Sequence, residues 1–230
     1  MVDLGLVEPG SRIGNLGVVL LSFDTATAFV SVALHDGERV RAERTSTEAM
    51  HHGELLAPLI EEVLAAAEVT PTQLTRIAVG VGPGPFTGLR VGLVTARTLG
   101  FALGIEVTGV CSLDVLAAEA TGSGAVTGEF VVAIDARRKE VYVAAYDASG
   151  RRIGEPVVER PEVVATALPV VGAATVLYPQ FFPMPAGPTQ PSAGWLARAM
   201  IEGTVATLPP EPLYLRRPDA ETPGKPKPVS

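Results

Sequence analysis

Positions 18 to 23 are apolar but for Ser22, a pattern that predicts a strand buried on both faces. A second strand is predicted over 29–34. The pair Asp36-Gly37 then predicts a hairpin turn, and 38–44 alternates as a third strand. From 52 to 67 the period changes: Leu55, Leu56, Leu59, Ile60, Val63 and Leu64 fall on one helical stripe. Strands over 76–80 and 105–110 bracket a helix over 88–103. A further helix is predicted over 112–120 with Ser112 as its N-cap, and TGSGAVTG (121–128) reads as a linker.

After the linker the pattern starts again, with strands over 130–135, 141–146 and 151–158. Setting FDTATAFVSVALHDG over IDARRKEVYVAAYDASG places Asp24 on Asp135, Val30 on Val141, Val32 on Val143, Ala33 on Ala144 and Asp36 on Asp147, all at an offset of 111 residues. Such self-similarity points to a duplicated unit. The expectation is an α/β fold of two lobes from a duplicated β-β-β-α unit: an N-terminal lobe over 18–120 and a smaller, truncated C-terminal lobe over 129–217. Residues 1–17 read as a flexible extension and the proline-rich 218–230 as a disordered tail. This is the plan of the actin, sugar-kinase and heat-shock-chaperone superfold (ribonuclease H-like), in which a nucleotide lies between the lobes.

Charge narrows the function. Among 230 residues, 18 Lys and Arg stand against 25 Asp and Glu, a net −7. That argues against binding nucleic acid unaided, and leaves room for a role in a complex whose partner brings positive charge. The single cysteine, Cys111, excludes an intrachain disulfide, fits a reducing cytoplasm and reads as a buried, inert thiol. The most apolar stretch, 91–105, is interrupted by Arg97 and too short to span a membrane. The first 17 residues, with Asp3, Glu8 and several glycines, do not resemble a signal peptide.

The most distinctive stretch is GPGPFTGLR (82–90). It is not a Walker loop, because Thr87 stands near the place of the second glycine and no lysine follows. It is not a dinucleotide fingerprint either, because Pro85, Phe86 and Thr87 follow Gly84. Pro83 and Pro85 remove two N–H donors that a phosphate nest would use. The reading is a rigid turn into a helix, with Thr87 as N-cap. In that helix Gly88, Gly92, Ala96 and Gly100, followed by Gly104, recur every fourth residue along one ridge. Either the ridge packs tightly on the chain's own sheet, or it meets a helix of another subunit. His51 and His52 are adjacent on a helix and point about 100° apart, so they cannot share a metal, and no metal site is expected. Asp24, Thr25 and Asp135 occupy vestigial phosphate-side positions of the superfold; their simpler role is at turns and caps.

In order along the chain, SFDTATAFVSVAL, HHGELLAPLIEEVL, IAVGVGPGPFTGLRVGLVTARTLGFAL and VVAIDARRKEVYVAAYD resemble the bacterial tRNA threonylcarbamoyladenosine biosynthesis family TsaB, also called YeaZ. The resemblance covers about 18–160 and returns weakly at EPLYLRR (211–217). It implies an actin-like, catalytically inactive relative of the transferase TsaD, whose H-x-x-x-H metal motif is reduced here to His52 with Leu56 in the second place. It implies no cofactor. The partner is TsaD, activated for formation of N6-threonylcarbamoyladenosine beside the anticodon of tRNAs reading codons that start with A. The ATPase TsaE joins through the complex, tRNA is met only through it, and a homodimer forms in isolation. The implied interface comprises His52, Leu56, Leu59, Pro83, Pro85, Phe86, Thr87, Gly88, Arg90, Gly92, Ala96 and Gly100. The alternative is an enzyme acting alone, a small-molecule kinase or a metallopeptidase of the same superfold. The peptidase lacks its ligands, and the kinase lacks a complete second lobe.

Overall fold

The computed structural model describes residues 17–46, 48 and 51–216. The extension expected over 1–17, apart from Gly17, and the tail expected over 218–230 lie outside the described residues. All five residues of β1 (Leu20–Asp24) are buried, Ser22 and Asp24 included. β2 (Ser31–His35) and β3 (Val40–Thr45) follow as an antiparallel meander. The Asp36 carboxylate accepts from the backbone N–H of Glu38 (3.0 Å) and Arg39 (2.9 Å), and Gly37 takes a left-handed φ of +93°. Next come α1 (His52–Ala66), β4 (Arg76–Gly80), α2 (Phe86–Leu103), β5 (Glu106–Val110) and α3 (Ser112–Gly122). The second lobe holds β6 (Phe130–Asp135), β7 (Val141–Tyr146), β8 (Arg152–Glu159), β9 (Val170–Val171) and α4 (Ala174–Leu177). It is followed by α5 (Ala193–Glu202) and β10 (Thr207–Leu208).

The first sheet runs β10-β5-β4-β1-β2-β3 and the second β8-β7-β6-β9. In each lobe the opening strand pairs antiparallel with the next and parallel with the fourth. The second sheet thus repeats the β3-β2-β1-β4 block of the first. This is the two-lobed actin-like plan, with the second lobe cut short.

Two details differ from the sequence reading. The lobe expected over 129–217 ends early: α5 packs on β1 and β2, and β10 pairs with β5, so the chain returns to the first lobe. Helix α5 escaped detection because its buried side includes Gly194, Ala197 and Ala199, a faint apolar stripe beside a proline-rich stretch. The constant offset of 111 also does not hold across both strands. Val30 and Val32 lie in the core under α2, and their counterparts Val141 and Val143 lie in the cluster with α4. Leu21 and Phe23 lie under α2 as well, but Val132 and Ile134 face the α3 side. One residue of register reverses a strand's faces, so Asp24 and Asp135 point to opposite sides of equivalent sheets.

Helix α3 belongs to both lobes. Val115 packs with Leu20 and Leu196, while Leu113, Leu116 and Ala117 pack with Phe130, Tyr142 and Tyr146. Asp114 ties it to the second sheet, accepting from the Tyr146 hydroxyl (2.7 Å) and from Arg152 Nη1 (3.0 and 3.1 Å). Cys111 is fully buried, and burial pushes its thiol up to about 12, out of the reactive range.

Near α5 two carboxylates approach one another. Glu43 accepts from Ser192 Oγ (2.7 Å) and Gly194 N (3.1 Å) at the helix start, where an anion is favoured. Glu119 of α3 has a buried Oε2 without a hydrogen-bond partner, and burial together with Glu43 raises its pKa to about 7. The folded state therefore holds a proton that the unfolded chain sheds near 4.5, and stability falls as pH rises from 4.5 to 7. Glu119→Gln is expected to raise the thermal midpoint at pH 8 by roughly 2–4 °C, the effect of about 1 kcal/mol in a chain of this length. The gain should be much smaller at pH 5, as scanning calorimetry at the two pH values would show.

Candidate docking face beside the inter-lobe cleft

The turn after β1 lies against the glycine-proline loop, Ala26 O facing Gly84, and the two are tied through the side chains of Asp24 and Ser112. Asp24 is 1% exposed. Its Oδ1 accepts from Ala26 N (2.7 Å) and its Oδ2 from Ser112 Oγ (2.6 Å). Ser112 in turn joins the loop: its Oγ accepts from Gly82 N (3.3 Å), and its N–H donates to Gly82 O (2.8 Å). Burial pushes the Asp24 carboxyl above its ordinary value, while the bonds from Ser112 and Ala26 and the field of His52 hold it down. Asp24 is therefore a sealed structural carboxylate, not an open phosphate-side group. Ser112 is the first residue of α3 and Cys111 its N-cap, so the expected cap role is corrected: the hydroxyl serves Asp24 instead.

Thr25 is sealed as well. Its hydroxyl donates to Gly88 O (2.8 Å). Helix α2 begins at Phe86 with Pro85 as N-cap and no side-chain cap, so Thr87 lies inside the helix, exposed, contrary to expectation. Proline explains this: its fixed φ, here −60°, suits a helix entry without a capping oxygen.

The small-residue ridge packs inside the chain. A Cβ added at Gly88 would strike Thr25 O, at Gly92 Thr25 Oγ1, and at Gly100 the Val107 side chain. Ala96 is fully buried. His52 is buried, donating from Nε2 to Thr27 O (2.7 Å), and Leu56 lies in the core. Pro83 is buried too. Seven of the residues expected at an interface, His52, Leu56, Pro83, Gly88, Gly92, Ala96 and Gly100, thus face the chain's own interior. They are corrected to packing positions; at Gly88, Gly92 and Gly100 the turn after β1 and strand β5 leave no room for a side chain.

The opposite face of α2 is open. Thr87, Arg90, Val94, Arg97, Thr98 and Phe101 are exposed. Their spacing places them within one helical face, since seven residues make nearly two turns. Val94 is 63% and Phe101 92% exposed. Leu59 of α1, Pro85 and Phe86 are half-buried beside this face. At its N-terminal end Phe86 packs on Tyr214 (centroids 4.6 Å), and Arg90 reaches the Tyr214 hydroxyl from Nε (3.3 Å). Leu213 N donates to Val81 O (2.9 Å), strapping the C-terminal segment over the loop. The sequence reading followed the glycine ridge and missed Val94 and Phe101. Projecting the same helix by 180° from that ridge would have found them.

Beside Pro85 an inter-lobe cleft of about 320 Å³ is lined by Thr27 and Ala28 of the first lobe and by Asp135, Arg137, Val176 and Leu177 of the second. Asp135 faces it and accepts from the Arg137 N–H (2.8 Å). Among the described residues, no three His, Cys, Asp or Glu side chains gather as a metal would require. No helix among them is long and apolar enough to cross a membrane.

Residues 40–178 match the family model described as TsaD, tRNA N6-adenosine threonylcarbamoyltransferase. The chain is similar to YeaZ from Pseudomonas aeruginosa, a solved structure, with TM-score 0.72 and 30% identity over 86% of this chain and 100% of that one. The chain belongs to the TsaB/YeaZ family. It is 35% identical to the tRNA threonylcarbamoyladenosine biosynthesis protein TsaB of Escherichia coli, over 63% of this chain and 64% of that one. It is also 42% identical to an uncharacterised protein of Mycobacterium leprae, over 88% of this chain and 56% of that one. The chain thus spans 56% and 64% of the lengths of these two relatives. In this TsaB/YeaZ chain, Gly92→Leu is expected to lose about 2–3 kcal/mol by overpacking against Thr25. Ser112→Ala is expected to lose about 1–3 kcal/mol by stripping a buried carboxylate of its donor. Urea unfolding of both variants would check this; an unchanged midpoint for Gly92→Leu would mean that the ridge is not internal.

Proposed function

We propose that this chain is a non-catalytic partner that binds a TsaD-type transferase and supports its formation of threonylcarbamoyladenosine in tRNA. The observation that carries the reading is the open face of α2, where Val94 and Phe101 stand exposed two turns apart, each about one turn beyond an arginine, Arg90 and Arg97. An aromatic and an aliphatic side chain flanked by arginines is the composition of an interface centre. The TsaB relatives of Bacillus subtilis and Escherichia coli are named for tRNA threonylcarbamoyladenosine biosynthesis, which supports the pathway. The buried, engaged state of Asp24 and the pairing of His52 with Leu56, a core leucine, support a partner role over an independent kinase or peptidase.

Expected interface positions still at the surface, namely Leu59, Pro85, Phe86, Thr87 and Arg90, border this face and belong to the proposed contact. The same face serves a homodimer when the transferase is absent. TsaE and tRNA are met through the complex, in the cytoplasm, and no cofactor is bound by this chain alone.

The test is threonylcarbamoyl transfer to unmodified tRNA by the cognate transferase with and without this chain, and by this chain alone. Activity is expected only in combination. Phe101→Glu and Val94→Glu should keep the wild-type thermal midpoint while weakening the complex at least about 30-fold, the loss of roughly 2 kcal/mol at a central contact. Transfer by the chain alone, or no effect on the transferase, would refute the reading.

A further inference from the structure

The open face of α2 carries its charged and apolar groups in a set order. Arg90, Val94, Arg97 and Phe101 follow one another at intervals of four, three and four residues. At about 100° per residue these positions fall within an arc of roughly 60°, a single stripe along the helix. All four are exposed. Alternating intervals of three and four are those of a seam along which one helix packs on another. The glycine ridge on the other side of α2 already has its seat inside the chain, so the stripe is a second seam on the same helix. It stays open apart from Tyr214 at its Arg90 end.

The two arginines of the stripe differ from several others in the chain. Arg41 lies on Asp36 (3.3 Å), Arg151 on Asp147 (3.1 Å) and Arg152 on Asp114 (3.0 Å). Neither Arg90 nor Arg97 pairs with a carboxylate among the described residues, although the chain carries a net charge of −7. Arg90 is nevertheless held in place. Its Nε donates to the Tyr214 hydroxyl (3.3 Å), and its guanidinium lies over the Phe86 ring, 5.8 Å from the centroid. Tyr214 packs on Phe86 in turn, next to the bond from Leu213 N to Val81 O. A guanidinium fixed through Nε and one face keeps its Nη groups for a planar partner with two oxygens. It also has less side-chain freedom to lose on binding.

We propose that the stripe receives a helix of the docked transferase whose own seam alternates carboxylates with apolar side chains. Its carboxylates stand opposite Arg90 and Arg97, two helical turns apart, and its apolar groups cover Val94 and Phe101. The inference rests on the reading of this chain as the transferase's partner. A wholly apolar seam would desolvate both guanidiniums without a counter-charge. A nucleic acid would use the arginines and leave Phe101, 92% exposed, against a charged backbone. A seam carrying both kinds of group satisfies all four positions. Tyr214 is then a positioning residue, acting through Arg90.

The test uses the full chain and the cognate transferase. Arg90→Glu and Arg97→Glu should each keep the wild-type thermal midpoint and weaken the complex on the order of ten-fold, with Arg97→Gln as the milder variant if a reversal lowers the midpoint. Association of the wild-type chain should slow as salt rises, and the double reversal should lose that dependence. Arg90→Lys and Arg97→Lys keep the charge and add an amine. In the purified complex a carbodiimide should then join positions 90 and 97 to transferase carboxylates on one helix, about seven residues apart, as mass spectrometry would map. Tyr214→Phe should weaken the wild-type complex about three-fold and leave the Arg90→Glu complex unchanged, a coupling that a merely structural role would not produce. Unchanged affinity in both reversals would overturn the proposal. So would cross-links that are absent, that scatter over several elements, or that join a second copy of this chain. A tRNA transcript that binds the chain alone and is lost in the same reversals would overturn it too, because the stripe would then serve phosphates. If the transferase does not bind the wild-type chain, the partner reading falls and this inference with it. If Phe101→Glu weakens the complex and the arginine variants do not, this inference alone falls.

Discussion

The hydrogen bond from Ser112 to the buried carboxylate of Asp24 joins three parts of the chain that are distant in sequence. It fixes the end of β1, the first turn of α3 and, through Gly82, the glycine-proline loop. Gly80 is glycine because a Cβ there would collide with that carboxylate. A buried acceptor of this kind is costly to leave unpaired, so the three segments hold one another in place. The loop sets where α2 begins, and α3 sets how the second sheet sits against the first. The open face of α2 and the cleft both inherit their geometry from this clasp.

The two sides of helix α2 are under different constraints. Its inner row gives up side chains so that the turn after β1 and the β5 strand can approach closely. That approach is stabilising only because Thr25 bonds the Gly88 carbonyl and the neighbouring apolar groups lose water. The outer face has no such constraint and retains a nearly fully exposed phenylalanine. Such exposure in a folded chain is unfavourable for solubility, which is why it signals a partner better than the buried glycines do.

The two aspartates teach a related lesson. They end equivalent strands and align in sequence, yet the register of β6 against β7 differs by one residue from that of β1 against β2. Asp24 is turned under α3 and sealed, while Asp135 is turned into the inter-lobe cleft. In a duplicated fold, matching residue types therefore do not guarantee matching environments.

Much of the first lobe was legible from sequence, because hydrophobic burial imposes periods of 2 and 3.6 that the residues must obey. The runs at 18–23 and 130–135, the Asp36-Gly37 hairpin, the stripe of α1 and the duplicated β-β-β start all followed from that. The proline-rigid turn was legible from the fixed φ of Pro83 and Pro85, and the burial of Cys111 from the apolar habit of a lone thiol. Helix α5 and β10 were not legible, since their burial comes from contact with a sheet built far earlier in the chain, and their own apolar signal is weak. The roles within the site were not legible either. A glycine row states that something comes close, but not whether it is the chain's own backbone or another protein. An aspartate at a strand end states that it can accept hydrogen bonds, but not from which donors. Local composition determined the elements and their polarity. Only the tertiary structure decided which faces were consumed in folding and which remained open, because that depends on the long-range packing of segments whose sequences carry no record of one another.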